Sequence, residues 1–92
     1  MSLNRVGGAR IERSGFWLFT SYRVFFTRTR HFTLTKREFD AARSRRDREG
    51  AATVGRDGDR ALWWTAEGFF WAEEALDGEA VGLLAWDRRR RQ

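Results

Sequence analysis

Ala61-Leu62-Trp63-Trp64-Thr65-Ala66-Glu67-Gly68-Phe69-Phe70-Trp71 decides how this chain folds. Two ring-dominated runs flank Ala66-Glu67-Gly68, and large aromatic side chains fit a pleated, half-buried surface. A three-residue loop with Gly68 in the left-handed region closes such runs into an antiparallel hairpin. In that register Trp63 opposes Trp71 and Trp64 opposes Phe70, so both hairpin faces are aromatic. Such a hairpin is either covered on both sides or keeps one ring-lined face open to a ligand.

Working outward, Thr53-Val54 and Ala61-Leu62 flank Asp57-Gly58, a dipeptide that favours a type I′ hairpin turn. Upstream lies a helix start: Thr35 with Glu38 three residues on is a capping box, and Leu34 with Phe39 occupies the two positions of a hydrophobic staple. The helix runs to a Gly50 stop. Only Phe39, Ala41 and Ala42 can pack, so its second half is a charged rod. From Phe16 the even positions Phe16, Leu18, Tyr22, Val24 and Phe26 alternate as a half-buried strand, bent at Thr20-Ser21. Trp17, Phe19 and Phe25 at odd positions are aromatic too, so neither face is clean. Ser14-Gly15 separates this strand from a short polar one, Ala9 to Arg13. Arg28 to His31 reads as a turn before the short run Phe32-Thr33-Leu34. Gly7-Gly8 marks residues 1–8 as a flexible lead-in.

Downstream, Asp77 opens a second helix with a Leu76/Val81 staple. Val81, Leu84 and Ala85 share one face, flanked by Leu83 and Trp86. The helix runs into a basic tail, residues 87–92, whose cations suit the negative end of the helix dipole. The expectation is one α+β domain over residues 1–92, a mainly antiparallel sheet of about five strands with two helices, in the order β-β-α-β-β-β-α.

Composition narrows the class. Among 92 residues stand five Trp, eight Phe and one Tyr, a ring content that disordered chains do not carry. The chain has no cysteine, which excludes a disulfide scaffold and a thiolate metal site. Apolar runs stay far below the roughly 18 residues of a membrane span, so a cytoplasmic location without a membrane partner is expected.

The net charge of +5 conceals a polarity. Residues 1–56 carry 13 basic and 5 acidic side chains, residues 57–87 carry 1 basic and 8 acidic, and Arg88 to Arg91 follow. All the cations but Lys36 are arginine, which suits bidentate phosphate contacts and ring stacking; a GC-rich genome produces the same bias without function. Arg37, Arg43, Arg45, Arg46 and Arg48 on the first helix, with Arg88, Arg89, Arg90 and Arg91 at the end, are the candidate phosphate contacts. Glu38, Asp40, Asp47 and Glu49 are interleaved with the helical set, the pattern of an ordinary solvated face. Trp63 and Trp71 are the candidate rings for base stacking or for a partner surface.

Catalytic chemistry is not legible. His31 is the lone histidine and fits a turn edge. Glu73, Glu74, Asp77 and Glu79 could gather a hard cation, yet helix capping already occupies Asp77 and Glu79. No Gly-rich phosphate cradle is present. Neither an enzyme nor a cofactor is expected.

The stretch Leu62-Trp63-Trp64, Gly68-Phe69-Phe70-Trp71, Leu76-Asp77-Gly78-Glu79-Ala80-Val81, Leu84 and Arg88 to Arg91 resembles a segment that precedes HNH-type nuclease domains in some bacterial proteins. The likeness spans residues 62–91. One histidine and no cysteine depart from the nuclease itself, because they cannot build an HNH metal site. The resemblance implies an accessory, nucleic-acid-associated module without catalysis of its own. Together these readings predict a non-enzymatic nucleic-acid-binding module. The alternative is a protein-interaction module, homo-oligomeric or with another chain, in which the acidic aromatic hairpin meets a basic surface.

Overall fold

The computed structural model describes residues 3–73 and 76–90. Strands β1 (Asn4–Arg5), β2 (Arg10–Ser14), β3 (Ser21–Phe25) and β4 (His31–Thr35) precede helix α1 (Lys36–Glu49). Strands β5 (Ala51–Asp57), β6 (Arg60–Thr65) and β7 (Gly68–Glu73) follow, then helix α2 (Gly78–Arg90). All pairings are antiparallel and form two sheets, of order β1-β7-β6-β5 and β2-β3-β4. The α+β class and antiparallel pairing are as expected. In place of the single sheet of about five strands, the described residues form two sheets with seven strands. Asn4 and Arg5, expected in a flexible lead-in, pair with Trp71 and Phe70 as an edge strand.

The decisive hairpin forms one residue out of the expected register. Thr65 pairs with Gly68, so the loop has two residues, Trp63 faces Phe70 and Trp64 faces Phe69. The Thr65 hydroxyl sets this register by accepting from the Glu67 N–H and donating to the Gly68 carbonyl, both at 3.0 Å. Gly68 keeps its positive φ, now as the first strand residue. The other hairpin shifts likewise: Asp57 pairs with Arg60, leaving Gly58-Asp59 as the loop. Gly58 alone has positive φ there, the pattern of a II′ turn rather than I′.

Both faces of the aromatic hairpin are covered. On one, Trp63, Ala61, Ala72 and Ala51 lie in a core with Val81 of α2. On the other, Leu62, Trp64 and Phe69 pack with Val24 and Leu34 of the second sheet and with Phe39 and Ala42 of α1. A run of rings ties these layers together. Tyr22 stacks on Phe39 at 3.8 Å, Phe39 meets Trp64 at 5.1 Å, and Trp64 stacks on Phe69 at 5.7 Å. The Phe32 ring lies so close over Gly55 that a Cβ there would come within 2.2 Å of it. Gly55 adjoins a register shift in β5, and its bare backbone lets the two sheets close.

Both helix starts form as the sequence dictates. The Glu38 N–H donates to Thr35 Oγ1 at 3.1 Å, while the Thr35 N–H donates to Glu38 Oε1 at 2.9 Å. Leu34 and Phe39 are both buried in one cluster, and Gly50 ends α1 in the left-handed region. At α2 the Ala80 N–H donates to Asp77 Oδ1 at 2.8 Å, with Leu76 packed on the cluster that holds Val81. Thr35→Ala removes the acceptor of one reciprocal bond and is expected to lower stability by about 0.5–2 kcal/mol. Urea unfolding followed by circular dichroism checks this, and an unchanged midpoint would place the helix start elsewhere.

Residues 16–19 depart most from expectation. They are no strand: Ser14 pairs with Ser21, and the chain between them makes a loop with a 3₁₀ turn at Trp17–Phe19. Gly15, at φ 74°, lies so close to Phe19 that a Cβ would meet its carbonyl oxygen at 2.3 Å. Trp17 sits at φ 57°, where bulky residues are rare. Thr20 locks the loop from inside. It is buried, and its hydroxyl and N–H both donate to the Trp17 carbonyl, at 2.8 and 3.2 Å.

Candidate nucleic-acid interface

Helix α1 presents the predicted cations unequally. Arg46 is half-buried, donates twice to Asp47 Oδ1 at 3.1 and 2.9 Å, and holds its guanidinium 4.4 Å from the Trp64 ring centroid. It fastens the helix to the core. Arg43 pairs with Asp40 at 3.4 Å and Arg45 approaches Glu49 at 3.8 Å. Exposed pairs of this kind contribute about 0–1 kcal/mol and exchange readily with a phosphate. Arg37 and Arg48 have no ionic partner among the described residues. Lys36 donates to Asp40 at 2.6 Å, and that bond, opposed by burial and aided by the nearby positive charge, holds the Asp40 carboxyl below its usual range.

The C-terminal set is helical through Arg90, and Arg91 lies outside the described residues. Arg88 donates to the Leu3 carbonyl, Arg89 comes within 3.9 Å of Glu67, and Arg90 lies 5.3 Å from the Trp86 ring centroid. These side chains therefore stay along α2 instead of trailing as a free tail.

The predicted rings are not open. Trp63 is buried inside the α2-covered core, with no acceptor for its indole N–H among the described residues. Trp71 is half-buried, with the Arg60 guanidinium 4.0 Å from its centroid and Phe26 at 5.2 Å. Neither offers a bare ring face, because two layers close over the hairpin. Of the acidic cluster, Asp77 caps α2 and Glu74 lies outside the described residues.

Trp86 on α2 is half exposed beneath Arg90, and the most exposed rings lie elsewhere. Phe16, Trp17, Leu18 and Phe19 are 76, 78, 83 and 85% exposed, a contiguous apolar tip on the braced loop. The sequence carried a signal for it: rings at both odd and even positions of 16–19 exceed what one half-buried strand can pack. A groove of about 710 Å³ runs beneath the tip, between Leu18 and Phe19 on one side and Lys36 and Arg37 at the start of α1 on the other. The hydroxyl-bearing residues Thr20, Ser21, Thr33 and Thr35 complete its polar lining. The groove's acids are occupied, Glu38 in the capping box and Asp40 by Lys36 and Arg43.

The three-stranded sheet continues this surface. Its register puts Ser21, Arg23 and Thr33 on the face turned away from Val24 and Leu34. Arg23, like Arg13 and Arg28, is exposed and has no ionic partner among the described residues. Phe25, on that same outer face, is kept from water by the Arg10 guanidinium, 3.8 Å from its centroid, and by His31 at 4.8 Å. His31 thus serves as a ring cover at the start of β4. Comparison with protein families, with curated proteins and with solved structures finds no match to this chain.

Proposed function

We propose that this domain is a non-enzymatic nucleic-acid-binding module that holds the phosphate backbone through guanidinium groups. One observation carries the reading: Arg13, Arg23, Arg28, Arg37 and Arg48 stand exposed without an ionic partner among the described residues. Free guanidiniums need no acid displaced before they take a phosphate, and each phosphate neutralised releases condensed counterions. Arg43 and Arg45, in weak exposed pairs, extend the contact along α1. A partner protein reached through the aromatic hairpin is the weaker reading, because both hairpin faces are covered.

The test is an oligonucleotide titration across ionic strength, followed by fluorescence anisotropy. Micromolar binding is expected in low salt, with log affinity falling linearly in log salt. The slope should be about −0.9 per phosphate contacted on duplex DNA and about −0.7 on a single strand. The double variant Arg23→Gln, Arg37→Gln should shallow that slope by up to two contacts without moving the melting midpoint. No binding to any oligonucleotide at low salt overturns the proposal.

A further inference from the structure

We infer that the Phe16–Phe19 loop is a stacking finger for unpaired bases, which makes single-stranded nucleic acid the preferred ligand. The inference rests on the phosphate-binding reading above and adds the class of nucleic acid and the residues that select it. It is supported by two observations and one general argument.

First, the loop is built to hold its rings in water. Gly15 folds tightly against the Phe19 backbone, buried Thr20 donates twice to the Trp17 carbonyl, and the Phe19 N–H donates to the Phe16 carbonyl at 3.2 Å. A loop braced by buried bonds does not collapse its apolar residues onto the core. The left-handed φ of Trp17 is strain that the surrounding bonds hold in place, and such strain concentrates at functional positions.

Second, the charge beside the rings matches a polynucleotide. The groove under the tip carries Lys36 and Arg37 alongside Glu38 and Asp40, whose carboxylates are engaged by the helix cap and by Lys36. The cations beside the rings without an ionic partner among the described residues are Arg37 and, on the adjoining sheet face, Arg23. Exposed arginines beside exposed rings are the combination by which single strands are held: phosphates follow the cations while bases stack on the rings. Third, duplex DNA hides its base faces, so an exposed Trp and two Phe have no stacking partner there. A single strand offers a π-face at each nucleotide.

The experiment compares the full chain with Trp17→Gly, Trp17→Phe and Phe19→Ser in binding to a fluorescent poly-dT oligonucleotide and to a duplex of equal length. Trp17→Gly should lower single-strand affinity roughly 5- to 150-fold, the range for one lost stacked base. Duplex affinity and the salt slope should stay unchanged, because phosphate contacts remain. The melting midpoint should hold or rise, since glycine accepts the left-handed backbone and the lost ring was exposed. Trp17→Phe should restore most of the affinity, and base stacking on Trp17 should appear as fluorescence quenching that is absent from that variant. Equal loss on single strand and duplex would overturn the inference, as would unchanged single-strand affinity in both Trp17→Gly and Phe19→Ser. Loss of binding to anionic vesicles by Trp17→Gly, with oligonucleotide affinity intact, would also overturn it and assign the tip to a lipid surface. In these cases the parent chain still binds nucleic acid, which separates failure of the finger from failure of the phosphate-binding reading.

Discussion

Replacing Trp63 by alanine is expected to cost about 3–5 kcal/mol of folding free energy, the range for truncating a buried large aromatic. Domains of this size hold only about 5–15 kcal/mol in total, so the variant should sit near its unfolding midpoint at ambient temperature. The reason is position. Trp63 is 5% exposed, shares a cluster with Ala51, Ala61, Ala72 and Val81, and faces the buried Phe70 across the hairpin. Truncation to alanine leaves a cavity that the surrounding structure fills only in part, so a cavity term adds to the lost transfer energy. The indole N–H sharpens the test, because it is buried and has no acceptor among the described residues. Trp63→Phe gives up part of the volume and also removes an unsatisfied donor, a burden of about 1–3 kcal/mol. Phe should therefore retain much of the stability that Ala loses. Urea midpoints of the two variants decide the matter. A small loss for Ala would mean that the ring is a surface feature, and would return it to the list of stacking candidates.

The same residue shows how far sequence alone reaches. Helix starts were legible because capping is local chemistry: Thr35 with Glu38, and Asp77 ahead of Ala80, are decided within four residues. The antiparallel hairpins were legible for a similar reason, since Gly58 and Gly68 mark places where the chain turns back. Their registers were missed by one residue. The Thr65 hydroxyl fixes one of them through a bond across the turn that composition does not reveal. The split into two sheets was not legible, because it depends on Phe32 lying against Gly55, 23 positions away in the chain. The interface shows the same division. Charge polarity pointed to arginines, but Arg46 is consumed by Trp64 and Asp47, contacts that follow only from the packed helix. The alternation that made 16–26 read as one strand is blind to the 3₁₀ turn, which the left-handed Gly15 and the local bonds from Thr20 to the Trp17 carbonyl create. Trp63 packs under α2, a helix the sequence did disclose, whereas Trp71 meets Phe32 of the second sheet and the adjoining Phe26, a layer it did not.

Gly82→Leu is expected to lower stability by about 3 kcal/mol, by lifting α2 off the sheet it covers. Glycine inside a helix is unfavourable by about 1 kcal/mol against alanine, so propensity alone predicts that any replacement at Gly82 should help. Packing reverses the sign. A Cβ on Gly82 would stand 2.9 Å from the Gly50 backbone, and one on Gly78, a turn earlier, would stand 2.7 Å from the Ala51 carbonyl oxygen. Those contacts are with main chain that α1's left-handed terminus and the first residue of β5 hold in place, so no side chain can rotate aside. The bare i, i+4 edge of Gly78 and Gly82 is what lets Val81 and Ala85 reach full burial. Gly82→Ala should therefore also destabilise, by up to about 2 kcal/mol, the overpacking loss exceeding the helix gain. An exposed control, Leu83→Ala on the outward side of the same helix, should change stability by no more than about 0.5 kcal/mol. Thermal unfolding of the three variants separates the two effects. If Gly82→Ala raises the midpoint, propensity dominates and α2 does not dock on the Gly50 turn. If it lowers the midpoint while Leu83→Ala leaves it unmoved, the close approach of α2 is what seals Trp63 from solvent.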